Sequence, residues 1–162
     1  MKRKVVVTGV GAVTGYGLGS DALWKGLVSG KSAVRPVSWE GWDSAPVQVA
    51  AQVPENLSGS GWRNLQMARM ALREALEGSR PEGIGGLAAA IGWPGPDEEE
   101  GNDPLGILAA EFSLRGPREE SLAACAASTQ AVGEAFRLVR DGEAEWMVAG
   151  LAERLQRMVE GR

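Results

Sequence analysis

The chain has 162 residues, 44% of them hydrophobic and 23% charged, which suits one globular domain over 1–162 with a buried core. A net charge of −4 argues against a nucleic-acid footprint, and no run nears the ~20 apolar residues of a membrane span. One cysteine, Cys125, excludes an internal disulfide or a multi-cysteine metal site, and the lack of any histidine excludes an imidazole base from this chain.

Met1-Lys2-Arg3-Lys4 leads straight into Val5-Val6-Val7 and then glycines. That apolar stretch is too short for a secretory signal, so a cytoplasmic location is expected. Lys4 to Thr8 reads as a β-branched strand buried on both faces. A glycine-rich turn runs from Gly9 to Gly19. Ser20 then caps a helix over Asp21–Ser29, which Gly30 stops. Lys31 to Pro46 has no period, holds Trp39 and Trp42, and reads as an ordered surface loop.

Val47 to Val53 alternates as a second strand, ended by Pro54. Arg63 to Glu77 is the clearest helix, with Leu65, Ala68, Leu72, Ala75 and Leu76 on one face and Gly78 at its close. Leu87 to Ile91 is an alanine-rich strand. Trp93 to Gly101 is a turn-rich acidic loop. Pro104 opens a helix reaching Phe112, with Asp103 as its cap.

Leu114-Arg115-Gly116-Pro117 breaks the chain. Glu119 to Ala124 reads as a short strand leading into Cys125, and Ala127 to Arg140 as the helix after it, stopped by Gly142. Glu145 to Ala149 is a last buried strand. Leu151 to Glu160 reads as a small amphipathic helix. Strands alternating with helices predict a layered α/β domain with a parallel or mixed sheet.

Cys125 is the candidate nucleophile. It lies where a strand turns into a helix, among the small residues of Ala123-Ala124-Cys125-Ala126-Ala127-Ser128. Backbone N–H groups and the positive dipole end of a helix favour a thiolate there, which suits attack on a thioester. The same residues also fit a buried cysteine acting as a small hydrophobe. Gly9, Gly11 and Gly15 spell G-x-G-x-x-x-G, one residue wider than a dinucleotide fingerprint, and structural glycines explain them equally. Arg69 and Arg73, one helical turn apart, suit either an acidic partner or a solvated face.

Three stretches resemble the β-ketoacyl synthases of the thiolase superfamily. They are Val5 to Thr14, then Leu114-Arg115-Gly116-Pro117 with Ala124-Cys125-Ala126-Ala127-Ser128, and Gln130 to Gly150 beyond. The resemblance spans Lys4 to about Glu153 and matches the N-terminal half of a family member. It implies a layered α/β/α fold, half of a thiolase-like architecture with a mixed five-stranded sheet. It places Cys125 at the nucleophile position, with an acyl carrier protein or acyl-CoA thioester as donor and no cofactor. It also implies a partner, either a second copy in a homodimer or a separate C-terminal half.

Departures from the family pattern accompany the match. The family's catalytic histidines, or histidine and asparagine, come from the second half. The segment between Gly92 and Phe112 is shorter than in the family. Thr14-Gly15-Tyr16-Gly17 replaces the usual Thr-Pro-Leu-Gly turn. Glu119 and Glu120 stand in a strand that is usually uncharged and through which family homodimers form. The expectation is therefore an acyl-transfer subunit that needs a partner for condensation, or a catalytically silent module on the same scaffold.

Overall fold

The computed structural model describes residues 3–37, 46–53, 57, 62–78, 80–91 and 103–152. Trp39, Trp42, the acidic loop from Trp93 to Gly101 and the expected tail helix beyond Ala152 lie outside these residues. Its main sheet has three parallel strands in the order β6-β5-β7, formed by β5 (Gly85–Ile91), β6 (Arg118–Glu120) and β7 (Trp146–Ala152).

The central strand β5 reads as a buried parallel strand should, apolar on both sides. Its alternation divides the core. Leu87 and Ala89 face α2 (Arg63–Glu77) and α3 (Pro104–Glu111), where Leu65, Leu72, Leu105 and Leu108 close over them. Ala88 points the other way, onto Ala131 and Ala135 of α4 (Ala127–Asp141). Helices on both faces of a parallel sheet make this an α/β/α sandwich.

The helix boundaries follow local chemistry. Asp103 caps α3 by accepting the Gly106 N–H at 2.7 Å, with Pro104 in the first turn. Gly142 ends α4 in the left-handed region at φ 83°, a conformation that suits glycine. The first helix, α1 (Ser20–Val28), differs from expectation. Gly19 occupies its N-cap position and Ser20 is its first residue, because the Ser20 hydroxyl is engaged by Glu74 instead.

Several expected strands are shorter or absent. Lys4 to Thr8 forms no strand, and Val6 and Val7 are exposed at 63% and 84%. The central, doubly buried place expected for that valine run belongs to β5, which β6 and β7 flank. The glycine turn folds into a small antiparallel ribbon, β1 (Val13–Thr14) with β2 (Gly17–Leu18). The expected strand over Val47–Val53 is only β4 (Val49–Ala50), paired with β3 (Arg35–Pro36), and the Val37 N–H donates to the Gln48 carbonyl at 3.0 Å beside it.

Leu151 and Ala152 belong to β7 rather than to a helix, because both pair with the end of β5. Among the described residues the sheet is thus parallel and three-stranded, beside two short antiparallel ribbons, rather than mixed and five-stranded.

Candidate functional site

Cys125 sits in a three-residue 3₁₀ turn, Ala124–Ala126, that opens directly into α4. The preceding strand is brief. β6 ends at Glu120, although the Ser121 N–H still reaches the Ala89 carbonyl at 3.1 Å before the chain leaves the sheet. The turn is made by Ala124 at φ 46°, a left-handed conformation unusual for a residue with a Cβ. It is closed by the Ala126 N–H donating to the Ala123 carbonyl at 2.9 Å.

The seating of α4 decides where the sulfur goes. Ala127, Ala131, Ala135 and Leu138 form its buried stripe, and the alanines let the helix lie close on Ala88. The strands run parallel, and α4 follows β6 to return alongside β7. Its N-terminus therefore lies at the carboxyl ends of the strands, the edge where open α/β sheets bind ligands. Cys125 is exposed there, so it is not the buried small hydrophobe that its alanine neighbours also fitted. The helix dipole concentrates positive potential at this end, where no side chain caps α4.

The neighbours of the thiol are uncharged. Ala124 and Ala126 are exposed, and Leu122 is 85% exposed. With no histidine in the chain, no imidazole is available to take a proton at the sulfur. Among the described residues no group of three acidic, cysteine or histidine side chains is placed to hold a metal ion. A hollow of about 200 Å³ lies elsewhere, between the glycine turn, α2 and the end of β7, and Cys125 does not line it.

The glycine turn resolves in favour of its structural role. Gly9 and Gly11 lie directly on α2, where a Cβ would collide with the carbonyl oxygens of Ala75 and Ala71. At the start of α1, where a dinucleotide phosphate would need free N–H groups, the Glu74 carboxylate already accepts the Ser20 N–H at 2.7 Å. A second oxygen of Glu74 accepts the Ala12 N–H at 2.9 Å. Partial burial pushes this carboxyl up, but the hydrogen bonds from Ser20 and Ala12 outweigh it and hold it below its ordinary value.

Neither Glu74 nor the left-handed Ala124 is visible in the sequence. Glu74 is one polar residue among several on α2, and its partner Ser20 is 54 positions away. The arginine pair separates. Arg69 is buried and meets Glu111 at 2.6 Å, so it braces α2 against α3, whereas Arg73 remains exposed.

Fold and site together define a layered α/β protein that presents a cysteine at a strand-to-helix turn beside a parallel sheet. The model of the family described as "Beta-ketoacyl synthase, N-terminal domain" matches residues 2–80 and 96–159, and the chain belongs to the β-ketoacyl synthase family. It is 27% identical to 3-oxoacyl-[acyl-carrier-protein] synthase 2 of Rhizobium meliloti (strain 1021), over 93% of this chain and 47% of that protein. It is 28% identical to the tetracenomycin polyketide synthase ketoacyl synthase alpha subunit of Streptomyces glaucescens, over 94% of this chain and 46% of that one.

Solved structures agree. A β-ketoacyl synthase from Burkholderia phymatum STM815 superposes with a TM-score of 0.72 at 25% identity, covering 96% of this chain and 48% of that one. A type II polyketide ketosynthase, solved with its acyl-carrier protein and bound to a hexaketide, gives 0.71 at 26% identity, covering 95% and 46%. The chain thus spans about half the length of the relatives it matches. The alignment to the Rhizobium protein runs over 199 positions, more than the 162 residues present, so the relative carries extra residues within the matched region.

Proposed function

We propose that this chain is the acyl-accepting, N-terminal half of a β-ketoacyl synthase of fatty acid or polyketide synthesis, half of a thiolase-like architecture. In this reading the Cys125 thiolate attacks the carbonyl carbon of an acyl carrier protein or acyl-CoA thioester. The new C–S bond forms, the old one breaks, and the carrier leaves as its thiolate, which takes through water the proton that the Cys125 thiol gave up. The observation that carries the proposal is the exposed Cys125 at the start of α4, in a chain whose relatives are ketosynthases. The positive end of α4 stabilises the oxyanion that develops on attack.

Condensation with a malonyl thioester requires proton handling that this chain has no histidine to supply, so that step needs a partner. A homodimer or a separate, histidine-bearing C-terminal half fills that role, and a cytoplasmic location suits either. A second reading keeps the same scaffold as a catalytically silent binding or structural module.

Intact-protein mass spectrometry after incubation with an acyl-CoA separates the two. Acyl transfer adds the mass of one acyl group, and Cys125→Ala abolishes the gain. An unmodified wild-type protein, with a thiol that alkylates no faster than a free cysteine, favours the silent module.

A further inference from the structure

Among the described residues β6 is an outer strand of the sheet, with β5 on one side and no strand on the other. Two bonds fix which of its peptide groups face inward. The Leu87 N–H donates to the Pro117 carbonyl at 2.9 Å, and the Ser121 N–H donates to the Ala89 carbonyl at 3.1 Å. Peptide groups alternate in direction along a strand, so Glu119 faces β5 while Arg118 and Glu120 turn their N–H and C=O groups outward. An open row of this kind is a template for another strand.

The side chains work against that use. Glutamate is poor in strands, yet it fills two of the three positions of β6. Glu119 is in register with Ala88, on the face that α4 covers, and is half-buried there. Arg118 and Glu120 lie in register with Leu87 and Ala89, on the face of α2 and α3, where Asp103 holds Arg118 at 2.8 Å. Among the described residues neither Glu119 nor Glu120 makes an ion pair.

A single antiparallel register lets a second copy use both outward residues of each strand. It sets Arg118 opposite Glu120 and Glu119 opposite Glu119. The Glu119 pair is then non-hydrogen-bonded, with Cα atoms about 4.5 Å apart and side chains at their closest. Like charges directly opposite one another destabilise a sheet, and the added strand also cuts the carboxylates off from water. The attractive Arg118–Glu120 pairs offset little of this, because Asp103 already engages Arg118.

We propose that Glu119 guards the β6 edge, keeping it closed to strand pairing with a second copy of this chain. A short edge strand with an inward-pointing charge is a known means of preventing edge-to-edge association. Closure of this edge is independent of the chemistry of Cys125. It sends any second copy or second half that completes the site to another surface.

Amide exchange followed residue by residue in NMR spectra reads the edge directly. In the wild type the Arg118 and Glu120 amides are expected to exchange freely from micromolar to millimolar concentration. In Glu119→Thr, checked for folding by circular dichroism, both amides are expected to gain about tenfold protection as concentration rises. Glu119→Lys alone stays open, since lysine then meets lysine, but an equimolar mixture with the wild type protects both amides.

Concentration-dependent protection of these two amides in the wild type, or in Glu119→Lys alone, overturns the proposal. So does an edge that stays open both in Glu119→Thr and in the mixture. Protection in either of these, with the wild-type edge open, supports the guard. A wild-type dimer that leaves both amides open also supports it, because its contact lies elsewhere.

Discussion

Glu74 holds Ser20 twice through one oxygen, from the backbone N–H and from the hydroxyl, each at 2.7 Å. The carboxylate of one helix thereby serves as the N-terminal cap of another, and its second oxygen ties in Ala12. This clasp fixes the glycine turn and α1 to α2.

The clasp makes stability depend on acid. The folded-state pKa of Glu74 is lowered, so its contribution is fully present above the ordinary value of 4.5 and is lost as pH falls through the folded value. Thermal melts between neutral and acidic pH are expected to show this loss. Glu74→Gln should cost about 1 kcal/mol at neutral pH, the usual loss of a helix cap, and flatten the acid limb of the profile. A variant that melts like the wild type at every pH would show that the clasp adds nothing.

Cys125 is exposed and fills no cavity. Cys125→Ala is therefore expected to shift stability by no more than about 0.5 kcal/mol while removing all thiol chemistry. Urea titration alongside iodoacetamide labelling measures both. A large loss of stability would mean that the sulfur is part of the core.

Ala131 and Ala88 are both fully buried where α4 meets β5. Ala131→Leu forces extra volume into that contact and should cost about 1–3 kcal/mol. Because the same contact seats the start of α4, the labelling rate of Cys125 should change as well. An unchanged rate would uncouple the site from the packing of the helix.

Arg69 and Arg73 should behave oppositely despite their identical chemistry. Arg69→Ala breaks the contact to Glu111, whose side chain is 41% exposed, and should cost about 2 kcal/mol, below the range for a fully buried pair. Arg73→Ala, at an exposed position, should stay within about 0.5 kcal/mol. Equal losses in denaturant titration would contradict this division.

Much of the architecture is local and so was legible in the residues. The apolar period of Arg63–Glu77, the Asp103-Pro104 start and the Gly142 stop each reflect interactions within a few positions, and the structure keeps all of them. The helix after Cys125 was likewise legible, but the strand expected over Glu119–Ala124 ends at Glu120 and a 3₁₀ turn takes its place at the cysteine. The strands were read less well. A valine run and a run of alanines are both acceptable to a sheet, and only competition for the central place put β5 there and left Val6 and Val7 exposed. The same is true of Leu151, whose fate was settled by pairing with β5.

Sequence by itself determined the kind of domain, its family, and the one atom available as a thiol nucleophile, because these rest on residue identity and short spacing. Tertiary structure alone decided that Cys125 is open to solvent, that Arg69 is buried, and that Glu74 caps a helix 54 residues away. Exposure and long-range pairing depend on which surfaces meet when helices settle on a sheet. That meeting is a property of the whole fold and cannot be read from any one segment.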